Sequence, residues 1–216
     1  MPKKNWVQSA SPPLKATLDQ RVSSFSTWVF EESVKPRKKP KHQGREPDYI
    51  MGLGTMDHDR ISLFLRTTAL AKRLNGEPPS KWKPIFIDTE ETKKYFTSSK
   101  LLINGNPLRG KPDVVLQHQD NGHIIIIERK TTWLHNKFLP ENGWANVQAQ
   151  LWAYSWMDEW KDAESVTLVG ELYLRKGRKN ALIRYTDPYF WQKGDTDHER
   201  ACSEWFYKYG GEIVSA

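Results

Sequence analysis

Residues 111–130 run KPDVVLQHQDNGHIIIIERK, and the way this stretch folds decides the rest. Residues 114–118 and 124–127 have strand character, and Asp120-Asn121-Gly122 between them is a strong hairpin-turn signal. A two-residue loop at Asn121-Gly122 predicts Asp113 opposite Lys130 and Val115 opposite Glu128. Side chains alternate faces along a strand, so Asp113, Glu128 and Lys130 then share one face, with Glu128 a diagonal neighbour of Asp113 at roughly 7 to 8 Å. Two carboxylates and an ammonium meet there, with room for one hydrated divalent ion. The four consecutive isoleucines 124–127 predict a strand buried on both faces, in the middle of a covered sheet.

Working outward, residues 18–32 read as a short helix. Lys35-Pro36-Arg37-Lys38-Lys39-Pro40-Lys41 reads as a solvated linker or arm, because its prolines and like charges oppose compact structure. Its two readings are a solubilising segment and a phosphate-contacting arm. Apolar residues from Ile61 to Leu74 recur at helical spacing, which predicts a helix over 58–74 before Asn75-Gly76. A short strand is expected at 85–88, a short helix at 89–96, and strands at 101–104 and 108–116 around Gly105-Asn106. The central strand follows at 124–130, then a helix at 144–160, a hairpin of strands 166–175 and 181–186, and a closing helix at 198–209. The domain organisation expected is an N-terminal extension with the basic linker over residues 1–45 and one catalytic domain over 46–216.

Pro112-Asp113 and Glu128-Arg129-Lys130 resemble the PD and ExK elements of the PD-(D/E)XK nuclease superfamily. Gly54-Thr55-Met56-Asp57-His58 is similar to the GTxxH element of its RecB-like branch, and Gln150-Leu151-Trp152-Ala153-Tyr154 fits that branch's QxxxY helix. The four elements stand in the family's order over residues 54–154. The resemblance implies an α/β fold, restriction-endonuclease-like, with a central mixed β-sheet flanked by α-helices. It also implies a Mg²⁺ or Mn²⁺ requirement and DNA cleavage, and it makes a helicase or recombination protein a candidate partner. Some relatives carry four cysteines for an iron–sulfur cluster; Cys202 is the single cysteine here, so no such cluster is expected.

Hydrolysis of a phosphodiester needs charge neutralised on the phosphate, a nucleophilic hydroxide and a stabilised leaving oxygen, and a hard divalent ion serves all three. Asp113 and Glu128 are the first-choice ligands, since oxygen donors suit Mg²⁺. By resemblance, the Arg129 carbonyl also faces the ion and His58 adds an imidazole, which Mn²⁺ tolerates more readily than Mg²⁺; Asp57 competes with His58 for that place. Lys130, two residues beyond Glu128, returns to the same face to orient or deprotonate the attacking water, and a neighbouring dication would lower its pKa. Gln150 and Tyr154 lie one helical turn apart. In relatives that face borders the metal, which implies that Gln150 bonds near the scissile phosphate or its water and that Tyr154 contacts the nucleic-acid backbone.

Thirty-three Lys and Arg against twenty-six Asp and Glu give a formal charge of +7, which suits a polyanionic partner such as DNA. No run of about eighteen apolar residues exists, so no membrane partner is expected. One cysteine gives no internal disulfide and fits a reducing, cytoplasmic compartment, the host's for a phage-encoded chain. Of the ten tryptophans, Trp152, Trp156 and Trp160 read as core. Exonucleolytic and endonucleolytic action both remain open, as does the oligomeric state. The competing readings are an RNA endonuclease of similar metal-site design and a catalytically inactive nucleic-acid-binding protein.

Overall fold

The computed structural model describes residues 18–33, 77–89, 91–132, 140, 143–175, 183–185 and 189–214. Three expectations lie outside these residues: the GTxxH element with Asp57 and His58, the helix over 58–74, and the basic segment 35–41.

The order of elements is α1 (Val22–Ser33), β1 (Trp82–Ile87), β2 (Phe96–Ile103), β3 (Asn106–Gly110), β4 (Val114–His118) and β5 (Ile124–Thr132). Next come α2 (Ala145–Ser155), β6 (Val166–Arg175), β7 (Ile183–Tyr185), β8 (Tyr189–Gln192), α3 (Thr196–Tyr209) and β9 (Gly211–Ile213). The chain is α/β. Its main sheet runs β1-β4-β5-β6, with β1, β4 and β5 antiparallel in turn and β6 parallel to β5. Both β8 and β7 pair with the free edge of β6, along its first and last residues respectively. A second, antiparallel sheet has the order β3-β2-β9. Among the described residues, no helix is long and apolar enough to cross a membrane.

The parallel β5–β6 pair requires a crossover, and α2 lies within it. Alternation along β5 splits the core in two. Ile124 and Ile126 join Val115, Leu168 and the buried faces of α1, α2 and α3. Ile125 and Ile127 pack on the opposite face with Trp82, Val114, Leu116 and Val169. All four isoleucines are buried, as expected for a central strand. Removing such an aliphatic side chain from water stabilises the fold by about 1.5–3 kcal/mol.

Helix α1 forms because Val22, Phe25 and Val29 recur at helical spacing and bury completely. Phe25 meets Trp152 of α2 and Phe206 of α3 edge-on, so this N-terminal helix is part of the main core. Helix α3 begins at Asp195, whose carboxylate accepts the His198 amide at 3.0 Å, and ends at Gly210 in a left-handed conformation.

Several expectations needed correction. The β4–β5 register pairs Val114 with Ile127 and Gln117 with Ile124, two residues away from the predicted pairing. The loop contains four residues, because the His118 amide bonds the His123 carbonyl and Asn121 accepts the His123 amide through its side chain. Residues 108–116 are two strands in different sheets, divided at Lys111-Pro112. Proline has no amide hydrogen with which to continue a ladder. The helix expected over 89–96 is a turn and extended chain in its described residues. Thr92 Oγ1 accepts the Thr89 amide and donates to the Ile87 carbonyl, which diverts the backbone from helical pairing. The helix expected over 144–160 ends at Ser155, and Asp158–Trp160 forms a separate 3₁₀ turn.

Candidate functional site

The two-residue register shift leaves the faces unchanged, since side chains alternate with period two. Continuing the observed pairing by one residue sets Asp113 directly opposite Glu128, closer than the predicted diagonal. Asp113, Glu128 and Lys130 lie on the face that α2 covers, in line with Val115 and Ile126 below them. Strand β5 therefore carries its apolar residues into the core and places the charged ones beyond them.

Glu128 is buried, and one of its oxygens gathers two donors. Lys130 Nζ approaches Oε1 at 2.5 Å and Gln150 Nε2 approaches it at 2.7 Å. Asp113 is buried as well, and its Oδ2 accepts the Arg129 backbone amide at 2.6 Å. The Lys130 side chain is the more exposed member of the group, at 31%. Burial acts to lower its pKa, but the charges of Glu128 and Asp113 outweigh that and hold it above the ordinary lysine value. In the protein alone, Lys130 is thus a firm ammonium.

Helix α2 supplies the other wall. Gln150 Nε2 also donates to the Tyr154 hydroxyl at 3.0 Å, and the Ser26 hydroxyl of α1 donates to Gln150 Oε1 at 3.1 Å. The amide is therefore locked in orientation with its NH₂ toward the carboxylate. Tyr154 donates to the Lys111 carbonyl at 2.9 Å. Burial, reinforced by the Glu128 charge, pushes its phenol well above the usual value, so it stays protonated. Gln150 and Tyr154 are buried at 5% and 2% exposure, so in this arrangement they grip protein groups. Tyr154 thereby braces the Lys111-Pro112-Asp113 turn.

Arg129 spans the sheet. Its amide holds Asp113 on one face, while its guanidinium reaches Glu171 on the other, Nε to Oε2 at 3.1 Å. Tyr173 donates to the same Glu171 oxygen at 2.8 Å.

Sequence reasoning missed three participants. Asp88, just past β1, bonds the Asp113 carbonyl through its amide at 2.8 Å and pairs with Lys111 at 2.7 Å. Lys111 in turn donates to the Thr92 carbonyl at 3.2 Å. Asp88 had a signal, a lone acid closing an apolar strand, and Lys111 adjoins the PD pair. Ser26 had none, because it lies 124 residues from Gln150. Of the other histidines, His118 is buried edge-on to Trp82, and His123 bonds Thr167 at 2.8 Å; both stand at the far end of the hairpin.

Among the described residues, no group of three or more His, Cys, Asp or Glu side chains is arranged to hold a metal. The two buried carboxylates brought to one end of the sheet are hard oxygen donors, and that donor set fits a Mg²⁺-type ion that retains several waters. His58 lies outside the described residues.

No family model matches the sequence, and no curated protein does. Solved structures do match, among them the crystal structure of SSO0001. The chain is 16% identical to it at a TM-score of 0.37, over 86% of this chain and 85% of that one.

Proposed function

We propose that this protein is a metal-dependent nuclease that hydrolyses DNA phosphodiesters by direct attack of water. The observation that carries this reading is the meeting of Lys130 and Gln150 on one oxygen of Glu128, opposite Asp113, just beyond the buried isoleucines of β5. An acid held only for stability would need neither the second carboxylate nor an amide fixed from two helices. The arrangement β1-β4-β5-β6 around α2, with PD on β4's approach and ExK on β5, further supports the PD-(D/E)XK resemblance.

Asp113, Glu128 and the Arg129 carbonyl are the groups that would hold the ion, with His58 as a fourth candidate. A bound Mg²⁺ or Mn²⁺ would supply Lewis acidity to the phosphate and lower the pKa of a water bound to it. Lys130 would offer its ammonium to that water and to the negative charge growing on the phosphate. Gln150 keeps Glu128 from rotating, because its own amide is fixed by Ser26 and Tyr154. Tyr154 and Asp88 hold the backbone on either side of Asp113. The formal charge of +7 favours approach of a polyanion. A cytoplasmic setting with a helicase or recombination protein as partner suits the reading.

The deciding experiment incubates linear, closed-circular and single-stranded DNA, and RNA, with Mg²⁺, Mn²⁺ or EDTA. Cleavage of DNA with either ion and none with EDTA is expected, and Asp113→Asn and Lys130→Ala should each abolish it. Cutting of RNA alone would replace the substrate assignment. Full activity in Asp113→Asn would remove the proposed site. Binding without cutting in any metal would make the chain a binding protein.

A further inference from the structure

Beside this site stands an exposed aromatic ring that the mechanism does not use. Tyr95 is 53% exposed and ends the extended segment that leads into β2. Lys111 Nζ lies 5.8 Å from its ring centroid, a cation–π distance. The same Lys111 precedes Asp113 by two residues and pairs with Asp88, whose amide bonds the Asp113 carbonyl. Lys111 therefore links the ring to the segment that carries Asp113.

The platform is built, not draped. Lys111 Nζ donates to the Thr92 carbonyl, and the Thr89 and Thr92 hydroxyls bond each other at 2.8 Å. Next along the chain, Phe96 buries against Phe86 and Trp160. Tyr95 thus sits between two anchored points with its ring turned outward.

Its neighbours are basic. Arg109 is exposed and pairs across β2–β3 with Thr97, two residues beyond Tyr95. Arg21 is exposed, pairs with Asp19, forms a β-bridge with Arg109 and lies within electrostatic range of the Tyr95 hydroxyl. An upright aromatic face beside Arg21, Arg109 and Lys111 has the chemistry of a nucleotide seat: the ring takes a base, and the exposed Arg109 takes a flanking phosphate.

We infer that Tyr95 is a stacking platform for one unpaired base of a single strand next to the scissile phosphate, so that this chain engages single-stranded DNA or a frayed end at that step. The inference rests on the proposed nuclease reading and names the form of substrate it takes. Stacking on one ring is sequence-tolerant, because every base presents a π-face.

The test measures binding of a fluorescein-labelled single-stranded oligonucleotide to the full chain in EDTA, by anisotropy. Tyr95→Ala should weaken binding by roughly fivefold to a hundredfold, while Tyr95→Trp keeps it. Because the side chain is exposed, both variants should melt at the parent's temperature. A set of oligonucleotides, each with one abasic position, then localises the contact. One position should weaken the parent's binding by a similar factor and leave Tyr95→Ala unaffected. If the parent binds and cuts DNA while Tyr95→Ala matches it on every oligonucleotide, the platform is refuted and the nuclease stands. Equal weakening of Tyr95→Ala on every abasic strand also refutes stacking. If the parent neither binds nor cuts any DNA, both readings fail.

Discussion

Replacing Arg129 with methionine should destabilise the protein severely, and replacing its partner as well should restore much of the loss. The guanidinium Nε lies 3.1 Å from Glu171 Oε2, with side-chain exposures of 2% and 0%. Water cannot take over the role of the missing partner. Tyr173 still donates to Glu171, and a hydrogen bond to a charged group contributes about 1.5–3 kcal/mol. That does not offset the lost cation, and breaking a buried pair from one side costs about 3–5 kcal/mol. With a urea m-value of about 3 kcal/mol/M, the unfolding midpoint should fall by about 1–1.7 M. Arg129→Met/Glu171→Leu removes both charges. It should recover to within about 2 kcal/mol of the parent, the remainder being the Tyr173 hydroxyl left without its acceptor. Urea titrations followed by circular dichroism measure all three proteins. Because Asp113 is held by the backbone amide of residue 129, the folded double variant should still cleave DNA. A single variant within 1 kcal/mol of the parent, or a double variant less stable than the single, would show that the pair does not act as described.

Three further outcomes follow from the packing and the charges. Gly110→Ala would place a Cβ 2.6 Å from Tyr154 Cε1 and 2.7 Å from Val22 Cγ2, so it should cost about 1–3 kcal/mol and lower the melting temperature by about 2–12 °C. Gln150→Leu removes the donor to Glu128 and Tyr154; it should cost about 1–3 kcal/mol and reduce cleavage far more than its stability loss explains, as measured at a temperature where the variant is fully folded. Burial holds both His123 and His198 below the ordinary histidine value of 6.5. The unfolded chain therefore takes up those protons first, so their stabilisation is whole above pH 6.5 and is lost as pH falls through 6.5 toward the folded values. Each group can contribute a slope of at most about 1.4 kcal/mol per pH unit. Denaturant titrations of His198→Gln between pH 7 and pH 5 should give a flatter slope than the parent.

The parts of the site legible in the sequence were those set by period-two alternation and helical spacing. Asp113, Glu128 and Lys130 share a face whether the hairpin loop holds two residues or four, because an even shift preserves which way each side chain points. The loop length itself depended on Asn121 capturing the His123 amide, a side-chain choice that the Asn-Gly pair alone does not reveal. Gln150 and Tyr154 were legible as one helix face, but their burial was not, since it comes from α1 and from the turn before Asp113. Glu171 was overlooked although it left a trace. A carboxylate inside Val166–Arg175, an otherwise apolar strand, needs a buried counter-charge, and Arg129 in the neighbouring strand could have been matched to it. The second sheet was hidden because its three strands come from distant stretches, and β9 is only three residues long.

Helix α1 brings this last point to laboratory practice. Its Val22, Phe25 and Val29 fill the space between α2 and α3, and its Ser26 sets the rotamer of Gln150. A fragment cloned from residue 46 onward would preserve every motif that suggested a nuclease, yet it would carry an open apolar trench where that helix belongs. Added back as a synthetic peptide, residues 18–33 would be the natural plug for it, making the shortened chain a two-piece protein whose activity could be switched on by mixing.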